Sequence, residues 1–208
     1  MKNTASIVFD GSYCYDSGRV GLGIVKLDDE FHPAEVFSKC ITLSSDRKNS
    51  DFVQKYGNLI AELAAAKSAL DMLPPQTDIN IFGDCGDIID TINNRGTIHN
   101  KPEFAASVRC LRKSIGKHTS VNAFRVATLD AAHISDVAIA VAHNASAIAS
   151  GSRKIMATPD YDGPYSHRSI LTEGLARVTY LEKIRKGTIS KPIGLLARRQ
   201  SNFQPATQ

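Results

Sequence analysis

The chain has 208 residues, 42% of them hydrophobic, and a formal net charge of +4, enough apolar material for one packed core with an appendage. No run reaches the ~18–20 consecutive apolar residues of a membrane span, and the opening MKNTASIVFDG lacks the charged-then-apolar pattern of a signal peptide. Four scattered cysteines (Cys14, Cys40, Cys85, Cys110) with no CxxC pair argue against a disulfide scaffold or a zinc site and read as reduced thiols of a cytoplasmic protein.

Residues 5–10 form an apolar run, Ile7-Val8-Phe9, that ends in Asp10 and is bounded by Gly11. GLGIVKLDD (21–29) is a second expected strand, and AEVFSKCITLSS (34–45) alternates with period 2, so the opening predicts a three-stranded antiparallel meander. Ser50 then stands as an N-cap and Pro74–Pro75 as a stop. Between them Val53, Tyr56, Leu59, Ile60, Leu63, Ala66 and Leu70 recur at helical spacing. INIFGD (79–84) is again an apolar run ending in an acid, followed by a helix over about 86–94 and a loop over 95–101. Pro102 opens a further helix carrying Phe104, Val108, Leu111 and Ile115 on one face. SVNAFRVAT is a fifth strand, and the alanine-rich stretch 131–150 is a helix ending at Gly151.

The order β-β-β-α-β-α-α-β-α implies an α/β fold, a five-stranded mixed sheet flanked by helices, over residues 1–150. Composition changes beyond 151. A linker with two prolines and two glycines leads to an amphipathic helix over 168–186 and a tail without clear period. Residues 1–150 hold 15 Lys/Arg against 17 Asp/Glu, whereas residues 151–208 hold 10 against 4. That basic C-terminal extension suits a polyanion or a protein partner, and reads equally as a solvated tail.

Asp10 and Asp84 each stand at the end of an apolar strand. If those strands are adjacent and parallel, both carboxylates emerge at the same edge of the sheet. Glu62 sits mid-helix between Ile60 and Leu63 on a face that should be partly core-directed, where a carboxylate is costly without a positive partner. Asp136 stands near the start of the last helix of the body. Four carboxylates from four elements can thus meet, and hard oxygen ligands of that kind specify Mg²⁺ or Mn²⁺.

IVFDGS, GRVGLGIV, AELAAAKSAL, INIFGD and SDVAIAVA together resemble type 1 ribonuclease H over about residues 5–150. The resemblance implies a ribonuclease H-like fold and an endonuclease that cuts the RNA strand of RNA–DNA hybrids. It also implies an Asp-Glu-Asp-Asp quartet, here Asp10, Glu62, Asp84 and Asp136, holding two Mg²⁺ ions, with Mn²⁺ able to substitute. Two such metals would activate the attacking water and stabilise the leaving oxygen, and Glu62 could contact the 2′-hydroxyl that marks RNA. Gly11, Gly21 and Gly23 are expected to let backbone approach nucleic acid, with Ser12 and Asn58 hydrogen-bonding it.

Three departures accompany the likeness. The loop before the last helix is short and lacks the family's proton-transfer His, for which His133 is the candidate; His143 lies seven residues beyond Asp136. Cys85 follows Asp84 where a Ser is common, and Asp87 and Asp90 read as solvated helix acids. Finally, the basic handle is reduced to Arg109, Arg112 and Lys113, with Lys117 and His118 behind them. These residues either hold DNA-strand phosphates or form the wet face of a helix. Other readings on the same fold are a junction resolvase, another RNase, or a nucleic-acid-binding module without turnover.

Overall fold

The computed structural model describes residues 4–29, 31–96, 98, 101–126 and 134–152, with the backbone alone for 134–136. The strands are β1 (Thr4–Cys14), β2 (Arg19–Leu27), β3 (Pro33–Thr42), β4 (Asp78–Gly83) and β5 (Ser120–Arg125). The helices are α1 (Ser45–Lys48), α2 (Asp51–Met72), α3 (Gly86–Ile92), α4 (Ala105–Ile115) and α5 (Ile134–Ser150). The short α1 directly follows the third strand, which ends at Thr42 rather than reaching residue 45 as its alternation suggested. The expected extension lies, beyond Ser152, outside the described residues.

One five-stranded sheet runs in the order β3-β2-β1-β4-β5. The β1–β2 and β2–β3 pairs are antiparallel, while β1–β4 and β4–β5 are parallel. This is the mixed sheet that the element order implied. Side-chain alternation sorts the sheet into two faces. Ile7, Phe9, Leu22, Ile24, Ile79 and Ile81 pack against α2, α3 and α4, and Val8, Val25 and Leu27 pack against Ala138, Ile139 and Ala142 of α5.

Helix α2 begins as its sequence dictates. The Ser50 hydroxyl accepts the Val53 N–H at 3.3 Å, satisfying one of the first-turn donors, and the helix stops before Pro74–Pro75. On the opposite face, α5 lies directly on backbone. A Cβ on Gly21 would stand 1.9 Å from the Ser146 carbonyl oxygen, and one on Gly23 1.9 Å from that of Ala142. The close approach expected of these two glycines is therefore taken by a helix, not by nucleic acid. Through these contacts α5 runs alongside β1 in the same direction, with Ala142 level with Gly23 and its partner Asp10, and Ser146 and Ser150 level with Gly21 and its partner Ser12.

Asp10 is not the last residue of its strand, since β1 continues to Cys14 by pairing with β2. What ends near Asp10 is the parallel ladder, whose last β1–β4 pair is Val8–Phe82. Asp10 lies two residues past Val8, and Asp84 two residues past Phe82. The parallel register thus delivers both acids to the same level, just where β1 outruns its neighbour.

Candidate functional site

Beyond the Val8–Phe82 pair, carboxylates from the two faces of the sheet come together. Carboxylate oxygens of Asp10, Glu62 and Asp84 all lie within 4.8 Å of one another. Asp10 is 2% exposed and Glu62 9%. Glu62 is brought in by the tight seating of α2 on β1, because a Cβ on Gly11 would lie 2.2 Å from the Glu62 nitrogen. Gly11 therefore serves the helix–strand contact that positions an acid, and it also lines the cleft beside the acids.

The electrostatics of the trio are unfavourable as they stand. Burial, reinforced by the charges of Asp10 and Asp84, holds the Glu62 carboxyl well above the usual carboxylate range, against a hydrogen bond from the Gly11 backbone. Burial and the Asp10 charge also raise Asp84, while a charged His143 and Arg125 pull it back. Glu62 Oε2 is buried and accepts no hydrogen bond among the described residues. A buried acceptor without a donor, on a residue grouped with two like charges, fits a divalent cation with oxygen ligands. Asp10, Glu62 and Asp84 are the residues that would hold it.

The same cleft, about 770 Å³, is lined by Ser12, Asn58 and His143 as well as the three acids. Ser12 Oγ accepts from Ser150 Oγ at 3.1 Å, and Asn58 Oδ1 accepts the Tyr13 N–H at 3.3 Å. Both expected contact residues are thus on the cleft wall, each already tied to its neighbours. Cys85 is not a reactive partner of the acids, because burial and the Glu62 charge push its thiol up to about 11. Asp87 and Asp90 are exposed on α3, as solvated helix acids.

Helix α5 adds two groups to which the sequence alone assigned no role. The Ser146 hydroxyl donates to Asp10 Oδ2, and His143 Nδ1 lies 3.5 Å from Asp10 Oδ1. Their i,i+3 spacing places them on one face of the helix, but nothing in the sequence says which turn of α5 meets Asp10. Asp136 is in the first turn of α5, seven residues before His143. At 1.5 Å per residue its backbone lies about 10 Å back along the helix, toward the Val25 and Leu27 end of β2. The described backbone thus sets His143, not Asp136, level with the trio; the side chain of Asp136 and all of His133 are outside the described residues.

Arg125, at the end of β5, is a further unassigned neighbour, its Nε donating to the Asp84 carbonyl at 3.3 Å. Arg109, Arg112 and Lys113 are exposed on α4, and none of them lines the cleft.

Neither a protein-family model nor a curated protein sequence matches the chain. Among solved structures it is similar to LC11-RNase H1, isolated from compost by a metagenomic approach. That likeness has a TM-score of 0.52 and 15% identity, covering 71% of this chain and 98% of that one. LC11-RNase H1 in complex with an RNA/DNA hybrid matches at 0.47 and 15% identity, over 59% of this chain and 84% of that one. RNase H1 from Halobacterium salinarum matches at 0.48 and 17% identity, over 60% and 86%. At such identities the likeness to LC11-RNase H1 speaks for the fold.

Proposed function

We propose that this ribonuclease H-fold protein is a metal-dependent nuclease that hydrolyses the RNA strand of RNA–DNA hybrids. The observation that carries the reading is the trio of buried Asp10 and Glu62 with half-buried Asp84, and its orphaned Glu62 oxygen. The substrate class comes from the fold it shares with LC11-RNase H1, a protein whose bound ligand is such a hybrid.

Divalent cations at this centre, Mg²⁺ or Mn²⁺, would supply a nucleophilic water and charge stabilisation at the leaving oxygen. The chain's own residues have separable tasks. Asp10, its Oδ2 held by Ser146, presents Oδ1 to the cleft. Asp84 enters from the end of β4, where Arg125 adds positive charge for a phosphate. Glu62 brings a desolvated carboxylate that is also suited to accept the 2′-hydroxyl of RNA. Ser12 and Asn58 line the wall along which a nucleic-acid backbone would lie. In this reading residues 1–150 are the catalytic body, and the basic segment 151–208 adds electrostatic grip. All four cysteines are free, in keeping with action in a reducing compartment such as the cytoplasm.

The test is a cleavage panel of hybrid, double-stranded RNA, single-stranded RNA and four-way DNA, each with Mg²⁺ and with Mn²⁺. Hybrid cleavage that Asp10→Asn or Asp84→Asn lowers by on the order of 10²–10³-fold is expected. Cleavage of the junction alone makes the protein a resolvase instead. Hybrid binding without any cleavage by the wild type makes it a binding module.

A further inference from the structure

One nitrogen-bearing group adjoins the three carboxylates through Asp10. His143 Nδ1 stands 3.5 Å from Asp10 Oδ1, with the side chain 24% exposed in the cleft that holds the acids. Its charge, when protonated, also lowers the Asp84 carboxyl. The other Asp10 oxygen is engaged by Ser146, one helical turn away. The oxygen left for a cation is therefore the one beside the imidazole. Glu62, grouped with Asp10 and Asp84, carries a buried oxygen that accepts no hydrogen bond among the described residues.

We propose that His143 is itself a ligand of the metal centre, so that this chain holds its cation with three carboxylates and one imidazole and favours Mn²⁺ over Mg²⁺. This deepens the metal-nuclease reading and rests on it. Four ionised carboxylates would bring four negative charges, whereas three with a neutral imidazole bring three and a softer donor. Mg²⁺ takes oxygen ligands in near-ideal octahedral geometry and gives up water reluctantly. Imidazole suits first-row transition cations, and among these Mn²⁺ is the one that also suits carboxylate oxygen. The α5 backbone sets no described acid at the level where His143 stands, since Asp136 is two turns back toward the other end of β1.

The experiment uses the full chain with Mn²⁺ or Mg²⁺ alone as the probe. Titration calorimetry gives the affinities, and pulsed electron paramagnetic resonance on the Mn²⁺ form reports any nitrogen bound to the metal. The wild type should bind Mn²⁺ more tightly than Mg²⁺ and show coupling to one histidine nitrogen. Growth on ¹⁵N-histidine, which requires no substitution, should change that signal from ¹⁴N to ¹⁵N. His143→Gln should abolish the coupling and weaken Mn²⁺ binding about 10–100-fold, with a smaller effect on Mg²⁺. His143→Asp should shift the preference toward Mg²⁺, and melting of the metal-free variants verifies that each is folded.

Mn²⁺ bound in an Asp10-dependent manner but without nitrogen coupling would overturn the proposal and leave His143 as an ion-pair partner of Asp10. Coupling that persists in His143→Gln overturns it equally. A wild type that binds neither cation, or binds both undiminished after Asp10→Asn, overturns the metal-nuclease reading and this inference with it.

Discussion

Glu62 is held where a charged carboxylate is least stable: 9% exposed, next to two other acids, with one oxygen lacking a donor. Such a group costs folding free energy that a bound cation would offset. Replacing it by Gln keeps an acceptor for the Gly11 N–H and removes one like charge. Metal-free Glu62→Gln should therefore be more stable than the wild type at neutral pH, on the order of 1 kcal/mol, as read by denaturant midpoints. If Mn²⁺ binds the trio, it should stabilise the wild type and fail to stabilise this variant. A less stable metal-free variant would mean that the trio is not strained. At this scale the three acids were legible, because an acid that terminates an apolar run, or interrupts an apolar helix face, stands out. His143, Ser146 and Arg125 were not. A His or Ser in a helix, or an Arg closing a strand, has many ordinary uses, and only its neighbours show which applies.

Helix α2 is tied to α4 through a polar contact that the hydrophobic pattern does not show. Burial alone would raise Asp71, but hydrogen bonds from Lys117, Lys67 and Ser114 outweigh it and hold its carboxyl well below the usual carboxylate range. Lys117 Nζ is 2.6 Å and Ser114 Oγ 2.8 Å from Asp71 Oδ1. A depressed folded-state pKa contributes stability above the ordinary Asp range, which is lost as pH falls below it. Asp71→Asn should accordingly be less stable than the wild type at pH 7, by a few tenths to about 1 kcal/mol because both lysines are solvated. The difference should shrink as pH falls below about 4, and unfolding curves at pH 7 and pH 3 measure it. Element order and most boundaries followed from periodicity and caps. The extent of β1 did not, because Gly11, Ser12 and the residues after them keep strand geometry through pairing with β2, across a turn whose register no local period specifies.

At the scale of the whole molecule, charge is segregated: residues 151–208 carry 10 Lys/Arg against 4 Asp/Glu, while the body is slightly acidic. If the segment grips phosphates, cutting the chain after Ser152 should weaken hybrid binding at low salt. It should also flatten the dependence of log affinity on log salt by about 0.7–0.9 for each phosphate that the segment neutralises. Binding of an inactive Asp10→Asn protein, with and without the segment, across a salt series reads this directly. An unchanged slope would remove the segment from the interface.

The sequence by itself determined the five-stranded mixed sheet, the amphipathic helices and the three acids Asp10, Glu62 and Asp84. Those features are written in local periods, caps and chain order, which act between residues a few positions apart. Only the tertiary structure decided which turn of α5 lies against Asp10. A helix on a glycine-lined strand has no local signal for its axial position, and the contacts at Gly21 and Gly23 set it. That position sets His143 and Ser146 level with Asp10, with the Asp136 backbone two turns away.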